Sequence, residues 1–222
     1  GGKVLNCGHV PTPTLAYSAM KWGVPSLMVT GSHIPDDRNG IKFYRPVGEV
    51  LKSDEFGMMS QSVTVMDANF DADGSFVSPP SLSTVIDVAP AYVARYVDFF
   101  GSDALDGLEV SVYQHSAVGR DILATILKRL GAKVHTICRS DVFIPVDTEA
   151  VRREDQDLAH QWAKASGFDA MASTDGDSDR PMLADETGKW LRGDVLAAIC
   201  AMQTGCDHVV TPVSSNTLLE RS

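Results

Sequence analysis

The chain has 222 residues and 44% hydrophobic content, enough for a packed core arranged as one large domain or two small ones. Its 29 acidic against 19 basic side chains give a formal net charge of −10, which argues against a general nucleic-acid surface or an anionic membrane as partner but leaves room for a small anion met by local cations. Cys7, Cys138, Cys200 and Cys206 show no C-x-x-C spacing, no apolar run nears the roughly 18 residues of a membrane span, and no signal-peptide pattern is present, so reduced thiols and a cytoplasmic location are expected.

Residues 3–5 read as a short strand. Pro11-Thr12-Pro13 then forms a rigid loop before an apolar helical pattern over 15–22, with Thr14 as its cap. Residues 26–30 are β-prone and run into the loop Gly31-Ser32-His33-Ile34-Pro35, which puts Ser32 at the carboxyl end of a strand, where open α/β sheets bind ligands. Asn39-Gly40 signals a turn, and 41–44 alternates as a strand pairing back. A weak helix is expected over 49–59. The acidic run 67–74 has no strand-to-helix switch and no basic neighbour, so it reads as a solvated loop. Ser78-Pro79-Pro80-Ser81 reads as a hinge, and 86–100 carries apolar residues at helical spacing.

From residue 108 the pattern becomes regular. A strand over 108–113, a loop through Gly119, a helix over 120–130 stopped by Gly131 and a strand over 133–138 are expected. An acidic helix over 154–165 closes at Gly167, a strand over 168–172 leads into Asp175-Gly176-Asp177-Ser178-Asp179-Arg180, and a return strand over 181–184, a turn and a helix over 194–202 follow. Residues 208–211 read as the first strand of a further unit. The chain begins without Met and stops inside that unit, so it reads as a piece of a longer protein. The fold class is α/β: layered, mixed or mostly parallel sheets with flanking helices, as two similar α/β domains (1–82 and 83–204) and the start of a third (205–222).

Three carboxylates at alternate positions, followed by a guanidinium, suit a hard divalent cation such as Mg²⁺. If extended, the stretch would aim them to one side, where they repel unless a cation sits among them. A calcium EF-hand loop is excluded: Glu186 falls at its twelfth position, but Arg180, followed by Pro181, stands where the sharp turn needs glycine. A metal-free acidic turn is the remaining alternative. Ser32 is the candidate nucleophile, with His33, Lys42, Arg180 and Mg²⁺ available to move its proton or steady phosphoryl oxygens. A hydrolase using Ser32 lacks a third triad element. His9, His115, His135, His160 and His208 read as structural or surface residues, and Trp22, Trp162 and Trp190 as core or interface aromatics.

Taken together the two loops resemble those of the α-D-phosphohexomutase superfamily, whose phosphoserine loop reads T-A-S-H-N-P followed by N-G-x-K and whose metal loop reads D-G-D-G-D-R. Val10-Pro11-Thr12-Pro13, residues 188–194 and Val210-Thr211-Pro212-Val213-Ser214-Ser215 are similar as well. Gly31, Ile34 and Ser178 depart from the pattern, and the family's N-terminal glycine-rich segment and most of its third and fourth domains have no counterpart here. The resemblance implies a phosphoserine at Ser32 and a Mg²⁺ held by Ser32, Asp175, Asp177 and Asp179. It also implies Lys42 as general base or acid with His33 second, Arg180 in the anion cradle, and hexose 1,6-bisphosphate as intermediate and activator. The implied reaction interconverts hexose 6-phosphate and hexose 1-phosphate. Mannose phosphate is the expected sugar, with glucose or glucosamine phosphate as alternatives, and a monomer or homodimer is expected. A non-catalytic Mg²⁺-binding phosphoprotein module is the alternative of another class.

Overall fold

The computed structural model describes residues 3–32, 34, 38–62, 70–79, 81–211 and 215. Helix α1 (Thr12–Trp22) starts three residues before the apolar periodicity does, because Pro11 serves as N-cap residue and Pro13 occupies a first-turn position where its missing N–H is no loss. Thr14 therefore lies inside the helix, fully buried, rather than capping it. Strands β1 (Ser26–Thr30), β2 (Gly40–Arg45) and β3 (Gly48–Glu49) form an antiparallel sheet in that order, with Met28 opposite Lys42 and Thr30 opposite Gly40. This antiparallel pairing returns Lys42 alongside the strand that leads to Ser32. One face of this sheet leaves Leu27 and Val29 62% and 64% exposed, opposite Phe43 and Ile41. Helix α2 (Lys52–Met59) follows β3, which takes Glu49, the first residue of the helix expected over 49–59.

The second sheet runs β5-β4-β6-β7, from β4 (Glu109–His115), β5 (Lys133–Arg139), β6 (Ala170–Thr174) and β7 (Pro181–Ala184). Its first three strands are parallel, and β7 pairs antiparallel with β6. Residues 110–115 of β4 are buried without a break, as a strand covered on both faces must be. On one side Tyr113, Ile137, Phe168 and Met171 pack with Trp162 and Trp190, which are core aromatics as expected. On the other, Val110, Ala132 and Ala172 meet Leu123 and Leu127 of α4 (Arg120–Arg129). Helix α3 (Ala89–Phe100) packs on α4 through Tyr92, Val93, Ile126 and Leu130, and Tyr17 of α1 sets its ring edge-on to Tyr92 at 6.1 Å. Helices α5 (Arg153–Ser166) and α6 (Gly193–Thr204) complete the layers.

The layered α/β expectation holds, with its parallel order confined to β5-β4-β6. Residues 3–5 form no strand; their neighbour Asn6 makes a single parallel bridge to Val85. Residues 208–211 form none either, having no described partner strand. Trp22, 42% exposed, lies at the surface. Of the acidic run, 67–69 lie outside the described residues, and Asp71 closes an exposed turn through Ser75, as a solvated loop should. Pro80 of the expected hinge also lies outside them.

Candidate active site

Because β4 and β6 run parallel, their carboxyl ends emerge side by side, and the 175–180 loop sits at that edge. The loop is not extended. It wraps around Asp175: the Asp175 backbone N–H bonds to Arg180 O at 3.1 Å, and its Oδ1 accepts the backbone N–H groups of Asp179 and Arg180, both at 3.2 Å. Ser178 adopts φ +61°, which closes the turn. This winding, rather than strand alternation, brings one oxygen each of Asp175, Asp177 and Asp179 within 4.8 Å of one another.

Ser32 reaches the same point from β1. Its φ is +50°, its N–H bonds to Thr30 Oγ1 at 2.8 Å, and its hydroxyl donates to Asp175 Oδ2 at 2.8 Å. A side chain at position 176 would place its Cβ 2.4 Å from Ser32 O, so only glycine allows the two loops to lie this close. Lys42 spans two carboxylates, at 2.7 Å from Asp177 Oδ2 and 2.6 Å from Asp179 Oδ2. Arg180 places Nε 3.3 Å from Asp175 Oδ2 and a terminal nitrogen 3.5 Å from the Ser32 hydroxyl. The structure thus unites Ser32, Lys42, Asp175, Asp177, Asp179 and Arg180; His33 lies outside the described residues.

Asp175 and Asp177 are 0% and 3% exposed. Burial pushes Asp175 up to about 6, the neighbouring carboxylates adding to it and the Ser32 hydroxyl opposing it. Burial acts on Asp177 too, but hydrogen bonds from Lys42, Thr12 and nearby Ser32 outweigh it and hold this carboxyl below its ordinary value. For Lys42, burial works against the charge, yet the two aspartates overcome it and keep the pKa well above the usual lysine range. Lys42 is an ammonium here.

The acidic set fits a divalent cation. Three carboxylates converge, and Asp177 Oδ1 is buried with no hydrogen-bond partner among the described residues, a costly arrangement unless a ligand takes that oxygen. Three supporting residues escape a reading by motif. Thr12 lies in the quoted Val10-Pro11-Thr12-Pro13 match, but nothing local shows that its hydroxyl donates to Asp177 Oδ2 at 2.6 Å. Ser178, a spacer by motif, accepts from Gly119 N at 3.0 Å and pairs with Thr174 Oγ1 at 2.9 Å. His115 is structural, as expected, but it supports the site directly: fully buried, it sets Nε2 2.8 Å from Thr174 O.

Two family models match: the α/β/α domain I of phosphoglucomutase/phosphomannomutase over residues 1–65, and domain II of the same enzymes over 90–188. The chain belongs to the α-D-phosphohexomutase superfamily. Among its phosphohexomutase relatives, proteins named phosphomannomutase from Salmonella muenchen and Sinorhizobium fredii are 44% and 45% identical over 99% and 97% of this chain. A phosphoglucosamine mutase from Clostridium botulinum is 29% identical over 91% of it. The chain spans 44–45% of the length of these relatives. A solved phosphoglucomutase/phosphomannomutase family protein from Burkholderia thailandensis shares the fold, with a TM-score of 0.67 at 21% identity over 92% of this chain and 45% of its own.

Proposed function

We propose that the intact gene product is a phosphohexomutase that interconverts hexose 6-phosphate and hexose 1-phosphate through a phosphoserine at Ser32, with mannose phosphate as substrate. The observation that carries this is the 2.8 Å approach of Ser32 Oγ to Asp175 inside a triple-carboxylate loop, two of whose aspartates are buried, flanked by Lys42 and Arg180. The mannose assignment rests on the higher identity to relatives named phosphomannomutase than to one named phosphoglucosamine mutase. The same reading divides the chain into a serine-bearing unit over 1–82, a carboxylate-bearing unit over 83–204 and the start of a third over 205–222.

In the first half-reaction the phosphoryl group leaves Ser32 Oγ for the free hydroxyl of the hexose monophosphate. The P–Oγ bond breaks, a P–O bond to the sugar forms, and the proton of that hydroxyl ends on Ser32 Oγ. The hexose 1,6-bisphosphate turns around and returns its other phosphate to Ser32, so the phosphoserine is regenerated and no phosphate is consumed. Added hexose 1,6-bisphosphate therefore acts as activator by recharging Ser32. Asp175, Asp177 and Asp179, together with Ser32, would hold Mg²⁺, which would supply neutralisation of the charge that develops on the phosphoryl group. Arg180, already directed at Ser32 Oγ, holds phosphoryl oxygens in line. Lys42, the candidate general base or acid, is kept protonated by its two aspartates and in that state acts as a fixed positive charge. His33, next to the nucleophile in sequence, is the second proton carrier.

Incubation of the intact gene product with hexose 1,6-bisphosphate and Mg²⁺, followed by mass spectrometry, tests this. One phosphate on Ser32, lost in Ser32→Ala together with interconversion of mannose 6-phosphate and mannose 1-phosphate, is the expected result. Phosphate on another residue, or release of inorganic phosphate without interconversion, would overturn the mechanism.

A further inference from the structure

Asp177 Oδ2 is engaged twice, taking the Lys42 ammonium at 2.7 Å and the Thr12 hydroxyl at 2.6 Å. Its other oxygen, Oδ1, is buried with no hydrogen-bond partner among the described residues. Thr12 is the first residue of α1, one past the N-cap Pro11, and its single hydroxyl proton does not serve its own helix. It is directed instead across to the carboxylate loop, 165 residues away, and the Thr12 backbone N–H follows it to Asp177 O at 2.9 Å. The backbone bond anchors the loop. It does not set the rotation of the carboxylate, whose terminal torsion is broad and roughly two-fold.

We infer that Thr12 is a positioning residue for the metal. By holding Asp177 Oδ2 it fixes the rotation of the carboxylate and leaves Oδ1, buried and with no hydrogen-bond partner among the described residues, as the oxygen open to the cation. The inference rests on the metal-assisted reading of the loop. It follows the general behaviour of metal-ligating carboxylates, which are oriented by a hydrogen bond from outside the ligand set. Thr12 is 2% exposed and belongs to α1, so it also ties the helix that precedes the Ser32 strand to the loop that carries the charge.

The test is a Mn²⁺ titration of the intact gene product, read by the electron paramagnetic resonance signal of free Mn²⁺, which needs no turnover. Thr12→Val keeps the shape and removes the donor; Thr12→Ser keeps the donor. Thr12→Val is expected to weaken Mn²⁺ binding about 10-fold or more, the usual range for losing such a partner, with Thr12→Ser staying close to the parent. Should the valine variant fail to fold, Thr12→Ala against Thr12→Ser makes the same comparison. Parental Mn²⁺ affinity in folded Thr12→Val or Thr12→Ala overturns the proposal, and so does equal weakening in Thr12→Ser, which would assign the effect to packing. Asp177→Asn separates the two levels of argument. If it abolishes Mn²⁺ binding while Thr12→Val binds as the parent does, the positioning role alone falls; if it binds Mn²⁺ normally, the metal reading falls and the role of Thr12 with it.

Discussion

Lys42 Nζ lies 2.7 Å from Asp177 Oδ2 and 2.6 Å from Asp179 Oδ2, joining a strand of the first sheet to a loop more than 130 residues further on. Lys42→Met keeps the length of the stem and deletes the charge. Turnover in the intact gene product is expected to fall on the order of 10²-fold or more, the scale seen when one fixed electrostatic group is removed from a transition state. Lys42→Arg should recover little of it, because a planar fork cannot replace a compact ammonium between two oxygens. Steady-state kinetics on both variants check this, and near-parental turnover in Lys42→Met would remove Lys42 from the chemistry.

Gly176→Ala tests the contact between the two loops. Its Cβ would sit 2.4 Å from the carbonyl oxygen of Ser32, a backbone atom with little freedom to retreat. The loops must part, at a cost of about 1–3 kcal/mol typical of overpacking. Urea unfolding should show that loss, and mass spectrometry should find Ser32 poorly phosphorylated by hexose 1,6-bisphosphate.

Ser178 sets two opposing effects against each other. A left-handed conformation costs a non-glycine residue about 1–2 kcal/mol, while each of its two hydroxyl contacts contributes about 1 kcal/mol. Ser178→Ala keeps the strain and loses the contacts, so a destabilisation of about 1–2 kcal/mol is expected. Ser178→Gly loses the contacts and the strain together and should lie within about 1 kcal/mol of the parent. Urea denaturation of the pair measures the difference; a glycine variant less stable than the alanine variant would contradict it.

His115 supplies a pH dependence. Burial, with Arg152 and Arg120 adding to it and Asp155 and the Thr174 carbonyl opposing, holds its pKa below the ordinary histidine value. The unfolded chain therefore takes up the proton first. Stability is undiminished above about pH 6.5 and declines as pH falls from there towards the folded-state pKa, by up to about 1.4 kcal/mol per pH unit within that window. Asp175, raised above its unfolded value, works in the opposite sense over the same range. Comparison with His115→Gln at each pH cancels it, and the parent should lose more stability than the variant between pH 6.5 and 5.

The alternation of strands and helices after residue 108 is legible in sequence because α4 and α5 carry their apolar faces at regular spacing and end beside or at a glycine. The Ser32 and Asp175–Arg180 loops are legible for another reason: their chemistry is contiguous. What escapes is long-range or conformational. Pro11-Thr12-Pro13 reads as loop, yet the prolines are compatible with a first helical turn, and the destination of the Thr12 hydroxyl cannot be inferred from its neighbours. The convergence of the three aspartates depends on a left-handed serine, and serine carries no signal for that conformation. The antiparallel order of β1-β2-β3 is foreshadowed only by Asn39-Gly40.

The left-handed backbone at Ser32 restricts which hydroxyl-bearing amino acid fits at this position. Threonine offers the same hydroxyl and is phosphorylated by the same chemistry, but its branched β-carbon crowds the backbone at positive φ far more than serine does. The choice between the two hydroxyl residues at this position is made by the shape of the main chain. On the proposed mechanism, a nucleophile of equal reactivity would be disfavoured on stereochemical grounds alone.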